Sequence, residues 1–273
     1  MNTPILVTGG TGTIGRHVVP LLRAAGADVR VLSRHPRASA DGVEHVAGDT
    51  VKGEGLDAAL TGVETVLHLA GGAKGDDVAA RNLVAAAREA GVRHLVLISV
   101  VGADRMPIGY FRMKHAAEQE IAGGGIPFSI LRVAQLHDFV LPVVRTMARM
   151  PLAPAPRGLR FEPVAVEEVA ARLAAITLAE PAGLVPDLAG PEVLDVADMI
   201  RVYSATQGRT RRLMRFGIPG AVGRAYREGR NLADAAAVRG TMTWQAFLDA
   251  NATAAASAQP RPNAEARVST SGR

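Results

Sequence analysis

Residues 5–19 read ILVTGGTGTIGRHVV, and the order of parts in this stretch decides the fold. Ile5, Leu6 and Val7 form a short apolar run suited to a buried parallel strand. Glycines follow at 9, 12 and 15, and with them a helical pattern over roughly residues 13–25. Gly9 permits a tight turn that a Cβ would obstruct, Gly12 lets backbone amides approach a pyrophosphate, and Gly15 lets the helix pack against the strand. The positive N-terminal end of that helix then faces the phosphates. The spacing is Gly-x-x-Gly-x-x-Gly and not Gly-x-Gly-x-x-Gly, so the reading rests on its setting between a strand and a helix at the head of the chain. It predicts Gly9, Thr11, Gly12, Thr13, Ile14 and Gly15 as dinucleotide contacts.

The same alternation continues outward from this unit. Strand-like runs recur at residues 5–8, 29–33, 43–46, 65–69, 94–99 and 129–132, with helical patterns at 18–25, 56–60, 78–90 and 114–121. Gly26, Gly62, Gly91 and Gly123 close those helices, as a helix C-terminus favours. Such alternation predicts right-handed βαβ crossovers and an α/β, doubly wound parallel sheet. After about residue 140 it loosens into PLAPAPRG, a strand-like FEPVAV at 161–166, and helices at 167–178 and 196–206. We read one nucleotide-binding domain over 1–251, with a core to about 140 and a smaller substrate lobe over 141–251. A last amphipathic helix spans 243–251, with Thr243 as N-cap and Trp244, Phe247 and Leu248 on one core-facing side. From Ala252 large apolar groups almost vanish, so 252–273 reads as a disordered tail.

Composition removes several function classes. The chain has 273 residues and 48% hydrophobic content, enough for a large core. With no apolar run near the ~18 residues of a membrane span and no signal-peptide start, it reads as cytoplasmic and free of membrane contact. No cysteine is present, and seven scattered histidines lack ligand-like pairing, so no metal site is expected. The net charge of +5 resides partly in patches such as Arg209, Arg211, Arg212 and Arg215, without interleaved aromatics. That reads as a solvated face and not as a nucleic-acid surface.

The end of the second strand decides which dinucleotide. A carboxylate there would accept from a ribose 2′-hydroxyl; this strand ends in Ser33 and Arg34, which with Arg37 suit a 2′-phosphate. NADP(H) is therefore preferred, with NAD(H) possible. Asp49 and Thr50 follow the third strand, where the carboxylate either meets the adenine amino group or merely caps the following turn. Leu69, Ala70 and Gly71 follow the fourth, where small residues let backbone approach the cofactor.

Tyr110 and Lys114 form Tyr-x-x-x-Lys, which stacks both side chains on one helix face. A nearby ammonium favours phenolate and fits the tyrosine for proton transfer, and the same lysine can hold the nicotinamide ribose. The pair falls after the fifth strand, at the carboxyl edge where such sheets bind ligands. Ser99 ends that strand, where its hydroxyl can serve the strand end. Gln135, His137 and Asp138 follow the sixth strand and can meet substrate there; the alternative for His137 and Asp138 is capping of the next helix.

Together TGGTGTIG, the strand-ending Ser-Arg, Gly-Asp, LAGG and YFRMK resemble the short-chain dehydrogenase/reductase superfamily. LISVVGAD, YFRMKHAAE and SILRVAQLHDF resemble its atypical, NmrA-like reductases more narrowly, over about residues 3–250. The resemblance implies a Rossmann fold, bound NADP and a C-terminal substrate lobe. It also implies Tyr110 as general acid/base, Lys114 as ribose-binding partner and Ser99 as carbonyl orienter, although Val100 and Val101 stand where relatives often carry another serine. The expected function is an NADPH-dependent oxidoreductase passing hydride to a small, apolar carbonyl, quinone or enone. Two alternatives are a non-catalytic NADP-binding redox sensor of the NmrA type and a nucleotide-sugar epimerase or dehydratase.

Overall fold

A computed structural model describes residues 3–35, 38–72 and 74–257. The first half runs β1 (Ile5–Thr8), α1 (Gly15–Ala24), β2 (Val29–Ser33), β3 (Val43–Ala47), α2 (Leu56–Leu60), β4 (Thr65–His68), α3 (Asp76–Glu89), β5 (His94–Val100), α4 (Gly109–Gly123) and β6 (Phe128–Val133). Then follow α5 (His137–Arg149), β7 (Leu152–Pro156), β8 (Arg160–Phe161), α6 (Val166–Thr177), β9 (Gly183–Leu184), β10 (Leu188–Ala189), β11 (Leu194–Asp195) and α7 (Val196–Thr206). The chain closes with β12 (Arg212–Phe216), α8 (Gly220–Arg227), β13 (Val238–Arg239) and α9 (Trp244–Ser257).

The main sheet is parallel, in the order β13-β10-β6-β5-β4-β1-β2-β3, with β9 also on β6. The strand order 3-2-1-4-5-6 at its heart is that of a Rossmann sheet. Every residue of HLVLISV in β5 is buried, because helices cover both faces and leave no polar side to alternate with. Val7, Val31, Leu67 and Val96 pack with residues of α1 and α6, whereas Leu6, Leu32, Val66 and Leu95 pack with α2, α3 and α4.

Two features depart from the sequence reading. Of FEPVAV only Phe161 lies in a strand, next to Arg160 in β8; Pro163 has no amide to donate to a ladder, and Val166 already opens α6. The helix of the last segment continues to Ser257, so residues 252–257 are not the start of a disordered tail. The alanine-rich ATAAAS run propagates a helix once Thr243 has capped it, its Oγ1 accepting from Ala246 N at 3.2 Å. Residues 258–273 lie outside the described residues.

The later half is stitched into the earlier one. Strands β9, β10 and β13 extend the main sheet beyond β6, and α6 lies against α1. A separate apolar cluster joins α5, α7, β7 and α9, with Trp244 2% exposed at its centre. The indole Nε1 donates to Met199 O at 3.3 Å, and the ring stacks on Phe247 and His137. Trp244→Ala should therefore cost about 3–5 kcal/mol of folding stability, read by denaturant unfolding; a loss below about 1 kcal/mol would show that the cluster closes without it.

Candidate active site

The carboxyl ends of β1, β2, β4, β5 and β6 open into one cleft of about 1370 Å³. That exceeds the usual range for a single drug-sized ligand and suits a dinucleotide with a second molecule beside it. Gly9 sits at φ +69° with its α-carbon turned to the β4 end, where a Cβ would lie 2.7 Å from Ala70 N. A Cβ on Gly15 would meet Gly10 Cα at 2.5 Å, so the glycine turn and α1 close on each other only without side chains. The turn's amide edge and the start of α1 thus line the cleft through Gly9, Thr11, Gly12, Thr13, Ile14 and Gly15.

Ser33, Arg34, Asp49, Thr50, Leu69, Ala70, Gly71, Ser99, Tyr110, Lys114 and Gln135 line the same cleft. Arg37 lies outside the described residues. Cationic side chains of Arg34, Lys52, Lys74 and Lys114 stand there against the carboxylates of Asp49 and Asp76, which suits a polyanionic ligand. Asp49 also serves its own turn: Oδ1 accepts from Val51 N at 2.8 Å and Lys52 N at 3.2 Å.

At the reactive end, α4 starts at Gly109, which puts Tyr110 in its first turn, 42% exposed, with its ring edge-on to Phe111. Lys114, one turn later, is buried and its Nζ is 2.7 Å from Asp76 Oδ2. Its ammonium is therefore paired with a carboxylate. Asp76, 4% exposed at the head of α3, also accepts from Gly72 N at 2.8 Å. Helix α4 is held to the sheet by Arg132 on β6, which pairs with Glu118 at 2.6 Å and reaches Asp104 at 3.1 Å. Ser99 Oγ is buried in the cleft floor without a hydrogen-bond partner, as is Gln135 Oε1.

His68 lies beneath this end, its Nδ1 2.6 Å from Thr8 Oγ1. Burial first, then the charge of Lys114, push its pKa down to about 4, with Asp76 opposing. The native state consequently binds fewer protons than the unfolded chain below the ordinary value of 6.5. His68 stabilises fully above that value and loses the contribution as pH falls toward 4. Acidification from pH ~7 to ~4.5 should thus cost His68→Gln about 2 kcal/mol less stability than the parent. Equal losses in urea titrations at the two pH values would remove His68 as a source.

His137 and Asp138 do not join the site. The His137 ring is fully buried, stacked 4.6 Å from Phe247, with Nε2 on Met242 O at 3.1 Å. Burial lowers its pKa, and its partners come from the far end of the chain. Asp138 sits in the first turn of α5, where its charge complements the helix end, and neither residue caps the helix through its side chain. Sequence reasoning missed Asp76 and the aromatic wall of Phe111, Phe139, Phe161 and Tyr226. Phe139, two residues beyond His137 and 59% exposed, was the one legible hint of that wall.

A glycine turn against helix α1, an arginine at the end of β2 and a tyrosine–lysine pair on one sheet edge define a dinucleotide-dependent Rossmann protein. Residues 9–177 match the NAD(P)H-binding family model, and the chain belongs to that family; it is an NAD(P)H-dependent oxidoreductase. It is 32% identical over 227 residues to the (4-alkanoyl-5-oxo-2,5-dihydrofuran-3-yl)methyl phosphate reductase of Streptomyces griseus, covering 80% of this chain and 78% of that one. To the ceramide reductase of Caulobacter vibrioides it is 29% identical, covering 79% and 74%. The NADPH-dependent quinone oxidoreductase of Escherichia coli, solved with NADPH, superposes with a TM-score of 0.78 at 20% identity, covering 90% of this chain and 99% of that one. Among the described residues no helix is long and apolar enough to cross a membrane, and no cluster of His, Cys, Asp or Glu could hold a metal ion.

Proposed function

We propose that the cleft takes NADPH in preference to NADH and reduces a small, largely apolar carbonyl, quinone or enone. The observation that carries this reading is the meeting of the glycine turn, Lys114, Tyr110 and the unpartnered Ser99 hydroxyl on one cleft. When bound, the cofactor supplies a hydride. Tyr110 gives its phenolic proton to the substrate oxygen that receives the electron pair. Lys114 holds the ribose hydroxyls, and Ser99 Oγ donates to the same substrate oxygen and orients it. Arg34, with Ser33, pairs with the 2′-phosphate, and the small Leu69-Ala70-Gly71 stretch admits the cofactor backbone.

The second ligand is framed by Tyr110, Phe111, Phe139, Phe161 and Tyr226. These are five of the ten aromatic residues in the chain, counting one Trp, three Tyr and six Phe. Aromatic side chains in the lining favour a planar, conjugated acceptor over a hydroxyl-rich sugar. Burial raises the pKa of the Tyr226 phenol.

The test is NADPH oxidation by the purified protein over a panel of quinones, enones, ketones and aldehydes. Turnover is expected with members of the conjugated set. Tight NADPH binding without turnover on any of them would move the chain to the redox-sensor reading.

A further inference from the structure

We propose that Asp76 balances the charge at the reactive end of the cleft and thereby governs how tightly the oxidised cofactor is held relative to the reduced one. The inference rests on the cleft being the NADP(H) site. Its structural basis is the ion pair of 2.7 Å between Asp76 Oδ2 and Lys114 Nζ, whose side chains are only 6% and 11% exposed. The carboxylate also fixes the loop after β4 through Gly72 N, and a Cβ on Gly71 would stand 2.9 Å from the Lys114 nitrogen. Loop, α3 and α4 therefore close around one buried pair.

Lys74, on the loop that leads to Asp76, adds a second cation to this part of the cleft lining, and the remaining polar neighbours are neutral. His68 is neutral at working pH, because its pKa lies at about 4, and Thr8 and Ser99 are hydroxyls. The second carboxylate of the cleft, Asp49, stands after β3 on the opposite side of β1 and is bound to its own turn. Asp76 thus offsets the charge of the buried Lys114, the cation it pairs with at 2.7 Å. A nicotinamide ring is cationic when oxidised and neutral when reduced, so a fixed charge beside it acts on one state only. With Lys114 alone, the oxidised product would be repelled; Asp76 cancels that repulsion.

Dissociation constants for NADP+ and NADPH, measured by calorimetry without substrate, test this directly. Asp76→Asn should raise the NADP+/NADPH ratio of Kd values roughly 5- to 10-fold, and Lys114→Met should lower it by a similar factor. The doubly substituted protein, which has the parent's net charge, should return to within about 2-fold of the parent ratio while binding both forms more weakly. A ratio that stays constant as both constants move together assigns Asp76 a purely structural role and overturns the proposal. If Asp76→Asn does not fold, the downward shift in Lys114→Met decides, and an unchanged ratio there also overturns it. A parent protein that binds neither nucleotide overturns the functional reading itself, and this inference with it.

Discussion

Tyr110→Phe is expected to lower kcat by about 10²–10⁴ while leaving the Kd for NADPH within about 3-fold of the parent. The substitution removes one oxygen from a side chain already 42% exposed at the cleft, so the fold has little to lose. The phenol is the proton donor in the proposed reaction, and Ser99 Oγ alone is too weak an acid to replace it. Steady-state kinetics beside NADPH titration separate the two quantities. Full activity in the variant would take Tyr110 out of the mechanism and pass proton delivery to solvent, as can happen with quinones whose reduced form is itself acidic.

The second large effect concerns the other end of the cleft. Arg34→Asp replaces an exposed cation at the end of β2 with a carboxylate, so a charge-assisted pair with the 2′-phosphate is lost and a repulsion is added. NADPH affinity should fall about 10²- to 10³-fold, whereas NADH affinity should hold or improve, because the new carboxylate can accept from the 2′-hydroxyl. The prediction is a reversal of preference, which is harder to obtain by accident than a general loss. Unchanged NADPH affinity would leave Arg34 as a solvent-facing residue.

The place of these two residues in the cleft was legible because each stands within a short stretch whose setting the chain itself announces. An arginine ending a strand and a tyrosine one helical turn before a lysine carry their geometry with them. Asp76 was not legible, for it pairs with a lysine on another helix, and Asp76-Asp77 reads in sequence as an ordinary acidic helix start. His137 misled for the converse reason. Next to the sixth strand it looks like a site residue, yet its ring is claimed by Trp244 and Phe247, which return from the end of the chain. The aromatic wall is gathered from α4, α5, β8 and α8, and only the tertiary fold brings those rings together. The parallel sheet was readable almost to the residue, since two-sided burial writes continuous apolar runs. The short strands β9, β10 and β13 were not, because two residues have no period.

Those short strands matter beyond their length. With β9 and β10 paired to the outer edge of β6 and β13 paired to β10, they make the later segment a structural wall of the half that carries the glycine turn. A chain cut near residue 140 would uncover a sheet edge and the flank of α1 on which α6 rests. The later segment is therefore no interchangeable cassette, and the cleft is more accessible to redesign through lining side chains such as Phe139, Phe161 and Tyr226 than through grafted segments.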